Sequence, residues 1–281
     1  MYRLMTCAAC TLVWLDNAPS PEQMPFHYGD DYYKGVAAAG EAPKRWQRQS
    51  SVISRYKQGG DILDIGCSSG GFLGSLAGGS WKLYGIEIAD AMASRARVST
   101  GAEVFVGDAL SAPFAPQSFD VVTCFDVLEH VYEPRRLLQK ALEWLKPGGI
   151  FYTMLPNIRS WEARMLGNYW YGLELPRHLF HFSPKSLTRV MESVGFSEGK
   201  IEMLPHSFLE SSAYYIYEEA AVKLGLSFQT LAKAKRPGIP FRTVRKGLRL
   251  AVLAPFARLA SRAGAGASME AVFVKSSALA T

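Results

Sequence analysis

The chain has 281 residues, of which 48% are hydrophobic and 20% charged, a balance that excludes a disordered, collagen-like or coiled-coil protein. Its formal charge of +6 is unevenly distributed. From Lys223 to Thr281 there are eleven Lys/Arg and one acid, Glu270, giving +10, so the remainder carries −4. The sequence therefore predicts a mildly acidic body with a basic C-terminal quarter.

The cysteines and the lack of long apolar runs indicate the cellular compartment of the protein. Cys7, Cys10, Cys67 and Cys124 do not form a disulfide framework, and the last two lie in apolar runs typical of buried segments. The N-terminus lacks a signal-peptide pattern, and no run of about 18 apolar residues occurs. We expect a cytoplasmic protein, with peripheral contact to a membrane as an open alternative.

Short β-branched runs alternate with helical patterns from residue 61 onward. Strands are predicted at 61–65, 82–87, 103–106, 119–124, 149–155, 201–204 and 269–274. Helices are predicted after residue 70, around 91–96, at 134–145 and at 184–194. This alternation predicts an α/β fold with βαβ units and a mostly parallel sheet.

Three less regular zones surround this pattern and divide the chain. The first forty residues are rich in Pro, Gly and aromatic residues, and the aromatic connection 156–183 is long enough to predict a functional role. We predict an N-terminal lid segment, a main domain and a basic helical insertion, with the bounds 1–40, 41–206 plus 267–277, and 207–266.

A glycine-rich turn, Asp64-Ile-Gly-Cys-Ser-Ser-Gly-Gly71, lies between the first of these strands and a helix. Glycines let a ligand approach the backbone, and a helix N-terminus offers free N–H donors. A tight turn without a ligand is the alternative. Acids follow three later strands, at Glu87, Asp108 and Asp126. Because ligands of open parallel sheets lie at the carboxyl ends of the strands, these acids predict one shared crevice.

These motifs, with Ser118-Phe-Asp-Val-Val-Thr-Cys-Phe-Asp-Val-Leu-Glu-His130 and Leu145-Lys-Pro-Gly-Gly149, form an ordered series. The series resembles that of class I S-adenosylmethionine-dependent methyltransferases, in particular the small-molecule enzymes related to the ubiquinone-biosynthesis O-methyltransferases. The resemblance covers residues 61–196. It implies a Rossmann-like sheet of seven strands, mostly parallel with an antiparallel last strand, helices on both faces, and a helical insertion between strands six and seven.

The resemblance also implies S-adenosyl-L-methionine as cofactor and a set of residues that hold it. The glycine turn would lie along the methionyl part, Asp64 would face its ammonium group, Glu87 would hold the ribose hydroxyls, and Asp108 would meet the adenine. The full predicted cofactor set is Asp64, Gly66, Cys67, Ser68, Gly70, Glu87, Ile88, Asp108, Ala109 and Phe125.

Histidines are the best candidates for removing a proton from a hydroxyl acceptor near neutral pH. His178 and His181 lie in Pro176-Arg-His-Leu-Phe-His-Phe-Ser183, which resembles a segment that relatives place on the acceptor side. We predict His178 as the first candidate for a general base, His130 as the second, and His181 beside them. The alternative is that these histidines only tie loops together.

Two patterns suggest metals. Asp126-x-x-Glu129-His130 resembles a set associated with a divalent ion in ubiquinone-pathway relatives, but the same pattern is frequent in metal-free relatives, and we predict no metal. Cys7-Ala-Ala-Cys10 is half of a four-ligand zinc site, and we interpret it as a remnant without zinc. Two roles are open for the nearby tyrosines: they form a lid over the pocket, or they only cover the hydrophobic core. These residues are Tyr28, Tyr32 and Tyr33.

Within the insertion, apolar residues share a helical stripe flanked by basic residues: Phe241, Val244, Leu248, Val252, Phe256 and Leu259, with Arg242, Arg245, Lys246 and Arg249. Such a segment could contact an anionic membrane or phosphorylated acceptor, or pack on the domain or a second copy.

We therefore expect a methyltransferase acting on a small molecule, most plausibly at the oxygen of a sugar, polyketide-like, or prenylated or lipid-linked acceptor. A nucleic-acid methyltransferase is disfavoured by the acidic body. A non-catalytic cofactor-binding protein is the third class.

Overall fold

The computed structural model describes residues 2–28, 46–223 and 253–276. The strands are β1 Leu4–Thr6, β2 Val13–Leu15, β3 Gly60–Ile65, β4 Trp81–Glu87, β5 Glu103–Val106, β6 Phe119–Phe125, β7 Leu145–Pro156, β8 Phe180–His181, β9 Phe196–Leu204 and β10 Ser268–Lys275. The helices are α1 Gln47–Ile53, α2 Gly71–Gly74, α3 Asp90–Thr100, α4 Pro134–Trp144, α5 Trp161–Leu166, α6 Pro184–Val194, α7 Leu209–Lys223 and α8 Ala254–Arg262.

Seven strands form the main sheet, in the order β5-β4-β3-β6-β7-β10-β9. The pairs β3–β4, β3–β6, β4–β5 and β6–β7 are parallel, whereas β10 runs antiparallel to both β7 and β9. The predicted Rossmann-like fold with an antiparallel last strand is confirmed. The strand order reverses at β3, so the carboxyl ends of β3 and β6 border the crevice where ligands of this architecture bind.

Both faces of the sheet are covered, which is why its strands are apolar almost throughout. Ile62 and Leu63 are neighbours in β3, point to opposite faces and are both fully buried. α4 covers one face with Leu138 and Ala141, while α3 covers the other with Ala93. The core therefore holds the strand ends rigidly in place.

A second, three-stranded sheet has the order β1-β2-β8 and was not predicted from the sequence. It joins the N-terminal hairpin to the segment that contains His181, because Val13 of β2 pairs with His181 of β8. The predicted lid segment is thus partly a structured hairpin. Tyr32 and Tyr33 lie outside the described residues.

The insertion contributes two described helices, α7 and α8, in agreement with its predicted helical character. α8 packs on β9, where the Ser261 hydroxyl donates to the Met203 carbonyl at 2.6 Å. Most of the predicted stripe lies outside the described residues, with only Phe256 and Leu259 inside them. Pro255 lies in the first turn of α8, and the residues before 253 lie outside the described ranges.

Gly199 offers a direct test of the β9–β10 packing. A Cβ atom at this position would lie 2.1 Å from the ring of Phe273, its partner across the strand pair. Gly199→Ala should therefore lower the free energy of unfolding by about 1–3 kcal/mol in urea denaturation. Gly74→Ala is the matched control, because its Cβ would meet only an ordinary contact at 3.6 Å. Equal stability of the two variants would contradict this packing.

Candidate functional site

The turn between β3 and α2 is built for close approach to its backbone. Gly66 and Gly70 have φ of +75° and +85°, and Ser68 between them has φ +47°. A Cβ on Gly66 would lie 2.4 Å from the Val127 side chain, so no larger residue fits there. The amides of Gly66 and Cys67 donate to the Ile86 carbonyl at 2.8 and 3.0 Å, which anchors the turn to β4.

The carboxylate of Glu87 connects this turn to the end of β4. Its Oε2 accepts from the Ser68 amide at 2.9 Å, and its Oε1 accepts from the Ala89 amide at 2.9 Å. Glu87 is buried, but each carboxylate oxygen retains a further lone pair. The side chain can therefore fix the turn and still accept hydroxyls from a ribose.

Asp64, at the end of β3, is a buried acid whose ionisation is finely balanced. Burial raises the pKa of Asp64 to about 7, the negative charge of Glu87 adds to this rise, and the hydroxyl of Thr123 opposes it. Thr123 Oγ1 donates to Asp64 Oδ1 at 2.7 Å. A cationic group bound beside Asp64 would favour its ionised form. Thr123 was missed by the sequence analysis, although its place on β6 beside Asp64 follows from the parallel pairing.

The remaining predicted cofactor residues occupy different environments. Asp108 accepts from the Leu110 amide at 2.8 Å and caps the short turn Ala109–Ser111, while Ile88 is 72% exposed at the mouth of the crevice. Cys67 is buried against Gly85, and Phe125 stacks on Trp46. The side chains of Cys67 and Phe125 thus shape the site by packing. Their contact with the cofactor stays a prediction.

The three predicted catalytic histidines lie together. The rings of His130 and His178 are 4.6 Å apart between centroids, and those of His178 and His181 are 6.3 Å apart. Burial lowers the pKa of His130 and of His178 to about 3 and that of His181 to about 4. All three imidazoles are therefore neutral at pH 7.

The hydrogen bonds of His130 and His178 distinguish their chemistry. Both nitrogens of His178 lie near oxygen atoms, with Nδ1 3.0 Å from the Gly172 carbonyl and Nε2 3.3 Å from Glu174 Oε2, and the neutral ring donates to one of them. His130 Nδ1 lies 3.1 Å from the Arg177 carbonyl and from the Tyr28 hydroxyl. The carbonyl requires a proton on Nδ1, which leaves the lone pair on Nε2. Within the described residues that nitrogen has no hydrogen-bond partner.

Glu174 was also missed by the sequence analysis. It lies four residues before His178, a spacing that could have suggested the contact, and its other carboxylate oxygen accepts from Arg177 at 2.5 Å. His181 lies in β8, on the strand that follows His178. In the described part of the chain its buried Nε2 has no hydrogen-bond partner.

Glu129 lies next to the histidines as an unpaired buried acid. It is 2% exposed, and neither carboxyl oxygen has a hydrogen-bond partner in the described ranges. Burial, followed by the charge of Asp126, raises the pKa of Glu129 well above its usual range and so favours the protonated carboxyl. One ligand atom each from Glu129, His130 and His178 lies within 4.8 Å of the others.

This cluster differs from the metal set suggested by the sequence. Asp126 is exposed with φ +53°, and the third member is His178 instead. The Asp126-x-x-Glu129-His130 set implied by the resemblance is therefore not the set that assembles, and no catalytic step is derived from a metal. Cys7 and Cys10 are free thiols in the β1–β2 turn, and among the described residues no third ligand joins them.

Comparisons with known proteins agree with this fold and site. A family model described as a methyltransferase domain matches residues 39–198. The ubiquinone biosynthesis O-methyltransferase of Idiomarina loihiensis is 28% identical over 154 residues, which cover 50% of this chain and 63% of that protein. The chain thus matches less than two thirds of this curated relative's length.

Solved structures show the same architecture. One is a Thermotoga maritima S-adenosylmethionine-dependent methyltransferase described as a possible histamine N-methyltransferase, with TM-score 0.56, 20% identity, and coverage of 89% of this chain and 97% of that one. Another is the Haemonchus contortus phosphoethanolamine N-methyltransferase 2 bound to S-adenosyl-L-methionine, with TM-score 0.58, 17% identity, and coverage of 94% and 62%. At these identities the likeness concerns the fold.

The family match, the sheet order and the glycine turn with its acids define a class I S-adenosylmethionine-dependent methyltransferase domain. The chain belongs to this methyltransferase family, and its cofactor is S-adenosyl-L-methionine. Among the described helices, none is both long and apolar enough to span a bilayer.

Because the pKa of Asp64 is about 7 without ligand, cofactor affinity should depend on pH. The ionised fraction of Asp64 rises from about one tenth at pH 6 to about nine tenths at pH 8. Since the ammonium group of S-adenosylhomocysteine prefers the ionised form of Asp64, affinity for this ligand should rise by up to about ninefold over this range. Calorimetric titration at each pH measures this rise.

Asp64→Asn is the control, because it cannot ionise and should show weaker affinity with a flat pH dependence. Without ligand, Asp64→Asn should also be more stable than the unchanged protein above pH 7. A carboxyl with a raised folded-state pKa destabilises the fold as pH climbs from its unfolded value near 4 through about 7. An equal pH dependence in both proteins would contradict this role of Asp64.

Proposed function

We propose that this domain transfers the methyl group of S-adenosylmethionine to a hydroxyl oxygen of a small-molecule acceptor, with His130 receiving the hydroxyl proton. The observation that carries the proposal is the position of His130. It lies four residues after Asp126, which follows the carboxyl end of β6, and its Nε2 lone pair is left open by the bond from Nδ1 to the Arg177 carbonyl.

The cofactor supplies a sulfonium-bound methyl group as electrophile. The chain's own groups hold the cofactor and align the acceptor, so much of the rate would come from positioning. In the transfer of the methyl group to the acceptor oxygen, Nε2 of His130 would receive the hydroxyl proton and release it to solvent. His178, with both nitrogens occupied, acts as a positioning residue that packs edge-on against His130.

The acceptor is proposed to be a sugar, a polyketide-like compound, or a prenylated or lipid-linked compound. Two observations support oxygen as the acceptor atom and a small molecule as the acceptor. The curated relative named above is a ubiquinone biosynthesis O-methyltransferase, and the candidate base is a neutral imidazole next to the buried Glu129. The net charge of −4 outside the C-terminal quarter disfavours a nucleic-acid acceptor.

The acceptor class can be tested by incubating the full chain with methyl-labelled S-adenosylmethionine and total lipid, carbohydrate or RNA extracts. We expect label in the lipid or carbohydrate fraction. Label confined to RNA would replace the proposal with a nucleic-acid methyltransferase. Binding of S-adenosylhomocysteine without transfer to any fraction would indicate a non-catalytic cofactor-binding protein.

His130→Ala should lower kcat by about 10²–10⁴-fold, the usual contribution of a positioned base, while calorimetric affinity for S-adenosylhomocysteine changes little. Because burial holds the pKa of His130 at about 3, kcat of the unchanged protein should stay level from pH 8 to about pH 5 at saturating cofactor. The exposed His206 provides the control variant His206→Ala, which should keep normal turnover. Normal kcat in His130→Ala would remove this role.

A further inference from the structure

Helix α8 presents its larger apolar side chains to solvent. The small residues Ala257 and Ala260 are buried against the domain, whereas Phe256 and Leu259 are 38% and 65% exposed. A helix that only covers a core normally buries its large apolar residues, as α6 does with Leu187. The outer face of α8 therefore suits contact with something beyond the described residues.

Helix α5 extends this apolar surface. The rings of Trp161 and Phe256 meet edge to face with centroids 4.2 Å apart, and the Trp161 amide donates to the Ala265 carbonyl at 3.2 Å. One turn further along α5, Met165 is 57% exposed. Trp161, Met165, Phe256 and Leu259 thus belong to one surface formed by two packed helices.

Arginines flank these apolar residues. Four of them are exposed on or beside the two helices: Arg159, Arg164, Arg258 and Arg262. Within the described part of the chain, none of the four forms an ion pair. The acid of α5, Glu162, is buried and accepts from the Phe208 amide at 2.8 Å, so it does not offset them at the surface. These eight residues are called the arginine–apolar face.

The charge of this face argues for an anionic occupant. In a twofold dimer the same patch meets itself, so four arginines would approach the four arginines of the other copy without compensating acids. Nucleic acid would satisfy the arginines but would leave Met165 and Leu259 without an apolar environment. An anionic bilayer surface supplies both phosphate groups and an apolar layer beneath them.

We propose that the arginine–apolar face binds the surface of an anionic membrane. The face is connected to the histidine cluster, because α5 continues into the turns Gly167–Tyr169 and Tyr171–Leu173, and the Gly172 carbonyl in the second turn contacts His178. Binding would hold this side of the domain against the lipid surface. The proposal does not depend on which acceptor is methylated.

Vesicle sedimentation of the full chain tests the proposal. Vesicles of equal parts phosphatidylcholine and phosphatidylglycerol should sediment the protein at about 0.05 M salt, whereas phosphatidylcholine vesicles should not, and about 0.5 M salt should weaken the binding. Arg258→Gln/Arg262→Gln should weaken the partition coefficient by about 30-fold, and Met165→Ser/Leu259→Ser by about tenfold or more.

Matched controls carry the same changes elsewhere on the surface. Lys185→Gln/Arg55→Gln removes two exposed cations, and Val98→Ser removes an apolar side chain that is 90% exposed on α3. Both should bind anionic vesicles as the unchanged protein does. Retained binding of S-adenosylhomocysteine shows that every variant is folded.

Three results would overturn the proposal. The first is that neutral and anionic vesicles sediment the protein equally, or that anionic vesicles sediment the variants of the face as well as they sediment the control variants. The second is a dimer in sedimentation velocity that Met165→Ser/Leu259→Ser converts to monomer, which would assign the face to a second copy. The third is an RNA oligonucleotide bound through Arg258 and Arg262 when the same variant leaves vesicle binding unchanged.

Discussion

The candidate site depends on the carboxylate of Glu87, which binds the amides of Ser68 and Ala89 at the same time. These bonds join the turn after β3 to the loop after β4, two strands that lie side by side with parallel register. The turn itself contains Ser68 at a positive φ, which a side chain adopts at a cost, and the carboxylate helps to hold it there. One buried acid therefore organises the backbone and also faces the crevice.

Burial then determines the charge of the other groups. Asp64 and Glu129 are both acids removed from water, yet Asp64 has the Thr123 hydroxyl as a donor while neither oxygen of Glu129 has a partner in the described residues. The pKa of Asp64 rises to about 7, and that of Glu129 also rises well above its usual range, in both cases chiefly because of burial. The same low-polarity surroundings keep His130 neutral. The site thus combines an acid poised to meet a cation with an imidazole that burial keeps uncharged.

Much of the main sheet could be predicted because its central strands β3, β6 and β7 bury both faces and are apolar runs. The strand 103–106 agrees with the structure in full, and the helix 134–145 is one residue too long at its end. β9 begins five residues before its predicted start, since Gly199 interrupts the strand pattern where the Phe273 ring needs its space. The β1-β2-β8 sheet was missed because its strands have only two or three residues, too few for a periodic signal.

By itself, the sequence determined the class of fold and the cofactor turn, since both depend on local patterns: apolar strands, glycines at positive φ and acids directly after strands. Only the tertiary structure decided which ring nitrogens of the histidines have partners among the described residues. His178 matched a family-like segment, but Gly172 and Glu174 occupy both sides of its ring, while a carbonyl from Arg177 orients His130. The tertiary structure likewise showed that His178, and not Asp126, lies beside Glu129 and His130. Hydrogen-bond partners and burial come from segments distant along the chain, and spacing in the sequence does not specify them.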